Sequence, residues 1–210
     1  VWEAHAYVTP VPASLDISAL GREPVLALLP ATYNHLQGHI PMLAHALAVA
    51  CSQTQPKINL RSEYEIFNTI NHQQTELEYF EADPTLAASR LLAPTRLKQM
   101  AAALGVKYVL QPGLAYVRED LEDKFELGGF VLLRTRVTTM GLWLRLWDAQ
   151  TGHFLMEASG EATVATELLV EGATVPLHAT ARNLWRHMIQ EGVLSGKTTS
   201  GSFHKANIEP

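Results

Sequence analysis

Residues 34–45, NHLQGHIPMLAH, carry three histidines: His35, His39 and His45. His35 and His39 stand four apart, a spacing that on a helix sets two imidazoles on one face as metal ligands. Pro41 disfavours the helical conformation in the residue before it, so a helix here begins after His39 and the pair falls in a loop. The residue after His35 is Leu36, not the glutamate that a zinc protease uses as base. Solvated loop histidines are the plainer reading. The alternative is a small soluble enzyme, or a metal- or ligand-binding domain, using the His35/His39/His45 region.

Other chemical candidates fail on spacing. Residues 192–198, GVLSGKT, imitate a phosphate loop, but three residues rather than four separate the first glycine from Gly-Lys. The segment also follows a helical pattern and opens a polar tail, whereas a phosphate loop follows a strand and opens a helix. Glu119, Asp120, Glu122 and Asp123 form an acidic cluster without the glycine and ligand spacing of a calcium loop. A nucleophile elbow and a dinucleotide glycine motif are both missing from the chain. Cys51 is the single cysteine, so neither a disulfide nor a cysteine-based zinc site can form; at the end of an apolar stripe it reads as a buried, inert thiol. No catalytic residue, metal or cofactor is expected.

Residues that suit protein contacts are easier to find. Trp143, Arg145 and Trp147 alternate with Leu142, Leu144 and Leu146, so a strand there carries an aromatic–arginine face opposite an aliphatic one. Such a face either packs beneath helices or anchors a partner, since Trp, Tyr and Arg are enriched at interfaces. Trp2, Tyr7 and Phe203 lie in terminal stretches too polar or proline-rich to fold alone, and are expected to dock on a partner.

These side chains need elements to position them. Residues 24–30, PVLALLP, read as a short strand buried on both faces. Ile40, Leu43, Ala44, Leu47 and Cys51 mark a helix with Pro41 in its first turn. Residues 57–61, KINLR, read as a second short strand. Ser62 and Glu65 make a capping box for a following helix, and Asp83-Pro84 opens another. Thr95 caps RLKQMAAAL, which Gly105 ends in the left-handed conformation. A strand over 106–117 is bent at Pro112-Gly113, and 117–129 read as an acidic hairpin loop. Two long strands, 130–147 and 153–166, meet at the turn Asp148-Ala149-Gln150-Thr151-Gly152. Pro176 begins a last helix with a stripe of Leu177, Ala181, Leu184, Trp185, Met188 and Ile189. The stretch LRLWDAQTGH is reminiscent of a propeller blade, but its Trp-Asp pair does not recur about 40 residues away.

The expected fold is therefore α/β, a mixed parallel and antiparallel sheet flanked by helices, with extended N- and C-terminal arms. Residues 1–23 form the first arm, 24–194 one domain, and 195–210 a polar tail.

Three pieces together carry a family resemblance: the strand PVLALLP, the helix-Gly-strand unit TRLKQMAAALGVKYVLQPGLAYV, and the WDAQTGHFLMEASGEA hairpin before the last helix. Over residues 24–192 the chain resembles the α/β domain of curli-secretion channel lipoproteins. It is also similar to the lipoprotein activators of penicillin-binding proteins and to the TolB amino-terminal domain. Their Asp-x-x-Thr-Gly turn matches Asp148, Thr151 and Gly152. The resemblance implies an envelope location, no catalysis and work through protein contacts. Two departures separate this chain from the channel members. Its 117–130 loop reads as too short and acidic to line a bilayer pore, and Val1 stands where an acylated lipoprotein has Cys. Beginning at Val1, the chain reads as a mature product or a fragment.

Composition agrees with this class. The 210 residues are 47% apolar, enough for a sizeable core, and the net charge of −5 with no basic face speaks against nucleic acid. No apolar run approaches the roughly 20 residues of a membrane span. The expectation is a non-enzymatic accessory protein of a bacterial envelope assembly, of the secretion, pilus or cell-wall kind. It would be periplasmic and outer-membrane associated, with protein partners, homo-oligomerisation as an option, and membrane contact only through an anchor or partner. The candidate partner-binding residues are Trp2, Tyr7, Trp143, Arg145, Trp147 and Phe203.

Overall fold

A strand with apolar residues at every second position must cover one face, and strand β4 (Phe130–Asp148) does so with Met140, Leu142, Leu144 and Leu146. The computed structural model describes residues 2–8, 15–28, 30, 32, 34–61, 68, 94–127, 130–168, 176–195 and 200–204. They form one six-stranded sheet of order β2-β3-β4-β5-β1-β6. Its other strands are β1 (Trp2–Val8), β2 (Val25–Ala27), β3 (Tyr108–Leu127), β5 (His153–Leu168) and β6 (Ser200–His204). Only β2 and β3 pair in parallel; all other pairs are antiparallel. The fold is thus the expected α/β arrangement with a mixed sheet.

Among the described residues four helices of a full turn or more accompany the sheet: α1 (Ala19–Arg22), α2 (Ile40–Ser52), α3 (Pro94–Leu104) and α4 (Leu177–His187). Helix α4 runs on into a π-helical turn, Met188–Val193. Leu43 and Leu47 of α2 join Leu184, Trp185, Met188 and Ile189 and the strand residues Leu114, Leu144, Ala158 and Val164 in the main core. On the opposite face, Leu97, Ala101 and Leu104 of α3 pack with Leu26, Val109 and Trp147 in a second core. Helices thus sandwich the β2–β3–β4 end of the sheet. Among the described residues no helix is long and apolar enough to cross a membrane.

Several local expectations take a different form. Both terminal segments are extended, as expected, but they are strands of the domain's own sheet. Trp2–Val8 pairs with β5, and Ser200–His204 pairs with β1. In β1 the alternation of Ala4, Ala6 and Val8 with His5 and Tyr7 buries the small residues and leaves the polar ones in water. The stretch 117–129, expected as a loop, is strand up to Leu127, and β4 resumes at Phe130. Charged residues there read as loop, yet Arg118, Glu119 and Asp120 remain solvated while the backbone pairs inward with β4. The bend expected at Pro112-Gly113 lies further on: both residues keep register with Leu144 and Trp143, and the extra residue is Ala115. KINLR contributes a single parallel bridge, Leu60 to Val25, rather than a strand. The helices expected after Ser62 and Asp83 lie outside the described residues.

The hairpin turn is built as its residues require. Asp148 Oδ1 accepts the backbone N–H groups of Gln150 and Thr151, both at 2.9 Å. Gly152 takes φ +78° and donates its N–H to the Asp148 carbonyl at 2.8 Å. Gly105 closes α3 with φ +62°. A Cβ on residue 152 would stand 2.8 Å from Pro94 Cβ at the start of α3. Gly152→Ala therefore combines left-handed strain with a steric clash and should lower unfolding free energy by about 1–2 kcal/mol in urea titrations.

Candidate functional site

The cross-strand register sets out a lattice on the sheet face opposite α2 and α4. Gln111, Arg145 and Glu157 align across β3, β4 and β5. The next row is Gly113, Trp143, Ser159 and Tyr7 across β3, β4, β5 and β1, and the following one Tyr116, Gly141, Glu161 and His5. Helix α3 covers the Trp147 end of this face. Away from α3 the lattice opens to solvent, with Tyr7 on β1 52% and Tyr116 on β3 40% exposed.

Each strand glycine in the lattice lies opposite an aromatic residue. The Trp143 indole lies over Gly113, and the Tyr116 ring lies over Gly141. A glycine in a strand leaves a gap in the pleated surface, and a large flat ring from the facing strand fills it. The Tyr116 hydroxyl then reaches across β4 and donates to Glu161 Oε2 on β5. Arg145 Nε donates to Glu157 Oε2 at 2.5 Å, and its guanidinium carbon lies 5.3 Å from the Trp143 ring centroid. Trp147 Nε1 donates to Gln111 Oε1 at 3.1 Å, while Phe154 meets the same indole edge-on at 5.3 Å. The aromatic and charged side chains of this face are thus held in fixed positions.

The sequence candidates divide accordingly. Trp143 and Trp147 are only 5% exposed, so the indoles are covered rather than offered outright to a partner. Arg145 is half-buried between Trp143 and Glu157, and Tyr7 stands in water beside them. The side chains of Trp2 and Phe203 lie outside the described residues. Sequence reading passed over Tyr116, Glu161 and Gly141, and took Gly113 for part of a bend. A glycine facing an aromatic in each half of the hairpin was the available signal, but it needed the register to be seen.

The histidine region assembles no centre. His35 and His39 lie in a 3-10 turn, Asn34–His39, and His45 is exposed on α2. Among the described residues no three His, Cys, Asp or Glu side chains are placed to hold a metal ion. Cys51 is buried in the main core, and burial pushes its thiol up to about 12. Glu119 and Asp120 point into solvent from β3, with Arg118 paired to Asp120 at 3.1 Å.

Tyr116 has a measurable signature. Partial burial, then the hydrogen bond and negative charge of Glu161, push its hydroxyl up to about 12. A raised folded value means that the neutral form is favoured in the fold. Its contribution to stability is complete below about pH 10, the value in the unfolded chain, and is lost as pH rises through 12. An ultraviolet tyrosinate titration should show a late-ionising step that is lost in Tyr116→Phe. In Glu161→Gln Tyr116 should ionise earlier, yet above an ordinary tyrosine because burial remains. An unchanged late step in Tyr116→Phe would refute the assignment.

No protein-family model matches the chain, and no characterised protein sequence matches it. Among solved structures, it is similar to the PelC dodecamer from Paraburkholderia phytofirmans, at 14% identity over 89% of this chain and 95% of that one, with a TM-score of 0.49. The lipoprotein GNA1162 from Neisseria meningitidis matches at 13% identity over 81% and 99%, with a TM-score of 0.43. The LpoB C-terminal domain from Salmonella enterica matches at 18% over 68% and 82%, with a TM-score of 0.35.

Proposed function

We propose that this chain is a non-catalytic accessory protein of a bacterial envelope assembly that works through protein contacts. The observation that carries the reading is the open lattice where exposed Tyr7 and Tyr116 flank Trp143, Arg145 and Glu157. Aromatic and arginine side chains supply most of the energy at protein interfaces, and fixing them in advance lowers the entropy lost on docking. Here Glu161 holds the Tyr116 ring against Gly141, and Glu157 with Trp143 holds Arg145. On this reading Tyr7 and Tyr116 make the first contacts, with Arg145 and the rim of Trp143 behind them. Trp2 and Phe203 pair with the core residues Val164 and Ala4 and share no row with Tyr7 and Tyr116, so they form no part of this contact region.

The proposed location is periplasmic, at the outer membrane. Its support is the resemblance carried by the helix-Gly-strand unit and the Asp148-Thr151-Gly152 turn. Both are present as built elements, with Gly105 and Gly152 at positive φ.

The test is photo-crosslinking in cells, with a benzophenone amino acid at position 7 or 116, followed by fractionation. Both positions should yield crosslinked envelope proteins, whereas the same probe at exposed Ser52 on α2 should not. Recovery of the chain in the cytoplasmic fraction, or equal crosslinking from all three positions, would overturn the reading.

A further inference from the structure

Strands β4 and β5 set two glutamates of one sheet face against different partners. Glu157 lies opposite Arg145, and Glu161, further along β5, lies opposite Gly141. At the first pair the chain supplies its own cation. Arg145 Nε donates to Glu157 Oε2 at 2.5 Å, and the guanidinium carbon stands 5.3 Å from the Trp143 ring centroid. A carboxylate, a guanidinium and an aromatic ring thus make one complete set.

At the second pair the carboxylate and the rings are present without the cation. Glu161 is exposed. Beside it Tyr116, 40% exposed, lays its ring in the space over Gly141 and donates its hydroxyl to Glu161 Oε2. Tyr7, 52% exposed on β1, lies opposite Ser159 and so diagonal to Glu161, a separation that an aromatic side chain spans. A phenol hydroxyl gives the carboxylate a hydrogen bond but no positive charge. Among the described residues no cation is paired with Glu161. Arg118, two residues beyond Tyr116, is held by Asp120 at 3.1 Å, and His5 faces Glu161 from β1. An exposed carboxylate between two exposed rings attracts a cation, because the negative ring faces add to the pull of the carboxylate.

We infer that Glu161, Tyr116 and Tyr7 form the seat for an arginine side chain of a protein partner, which completes on this row the set that Arg145 completes on the other. Arginine fits better than lysine, because its flat guanidinium lies over a ring while its N–H groups meet a carboxylate. This rests on the reading that the face docks a protein, and it names the chemistry of what docks.

The test is a titration of the full chain, observed by amide NMR, with the blocked peptide Gly-Gly-Arg-Gly-Gly and with its citrulline counterpart, which keeps the shape without the charge. The arginine peptide should shift the amides of Tyr7, Tyr116 and Glu161 saturably, and the citrulline peptide should not. Glu161→Gln should weaken binding about five-fold or more, and Tyr7→Ala about three-fold. Glu23→Gln with Glu191→Gln, which neutralises two exposed acids outside this sheet face, should leave binding unchanged. All four altered side chains are exposed, and an unchanged amide spectrum elsewhere shows that each variant folds. No shift at the three residues, equal shifts from the citrulline peptide, or an equal loss when Glu23 and Glu191 are neutralised would each overturn the inference. Crosslinks from positions 7 and 116 without arginine binding would leave the docking face standing and remove this occupant. Arginine binding without crosslinks would place the failure in the docking reading instead.

Discussion

Trp185→Ala should destabilise the fold by about 3–5 kcal/mol, the range for removing a fully buried indole. Trp185 heads the fully buried side chains by volume, at 0% exposure, in the core that α2 and α4 form against the sheet. Alanine leaves a cavity between packed elements that cannot close fully. For a chain of this size the loss corresponds to a fall in Tm of roughly 10 °C or more. Trp185→Phe separates packing from hydrogen bonding. The indole Nε1 has no acceptor among the described residues, so phenylalanine keeps most of the ring and removes a buried donor unpaired among them. Its cost should be about 1–2 kcal/mol. Urea unfolding followed by circular dichroism measures both. A phenylalanine variant as unstable as the alanine variant would mean that Nε1 has a partner in solution.

Gly113→Ala should cost about 2–3 kcal/mol, far more than the usual effect of giving a strand glycine a side chain. The new Cβ would occupy the space of the Trp143 indole. That ring is 5% exposed and has no room to retreat, and its displacement would also withdraw the surface over which the Arg145 guanidinium lies. Gly141→Ala meets the Tyr116 ring in the same way, but Tyr116 is 40% exposed and can swing outward, so about 1 kcal/mol is expected. The pair Gly113→Ala and Trp143→Ala should be strongly non-additive. With the indole gone the three atoms nearest the new methyl are gone too, and the double variant should be no less stable than Trp143→Ala alone. Additive costs would show that Gly113 is needed for its backbone and not for the ring above it.

What could be read in advance follows the range of the interactions involved. The turn at Asp148-Gly152 was legible because its hydrogen bonds join residues two to four apart. Helices α2 and α3 were legible because a stripe and a glycine stop are local patterns. The hairpin past Val117 was not, since Glu119, Asp120, Glu122 and Asp123 look the same in a loop and on an open strand edge. In β1 the alternation of Ala4, Ala6 and Val8 was present, but alanines are weak markers beside two nearby prolines and an aromatic-rich neighbourhood. Strand β6, SGSFH, has no periodic signal, and only pairing with β1 defines it. The Trp-Arg-Trp face was visible as a pattern, and its cover was undecidable until α3 was seen over Trp147. Tyr116 and Glu161 are far apart in the chain and meet only through register.

Strand β1 lies between β5 and β6. Strand β1 is therefore made well before either of its neighbours. Until they follow, Ala4, Ala6 and Val8 have no surface to join, and both hydrogen-bonding sides of the strand stand open. Closure waits on contacts between segments far apart in the sequence, the kind that slow folding most. A molecule caught before that closure would be one still able to be unfolded and moved.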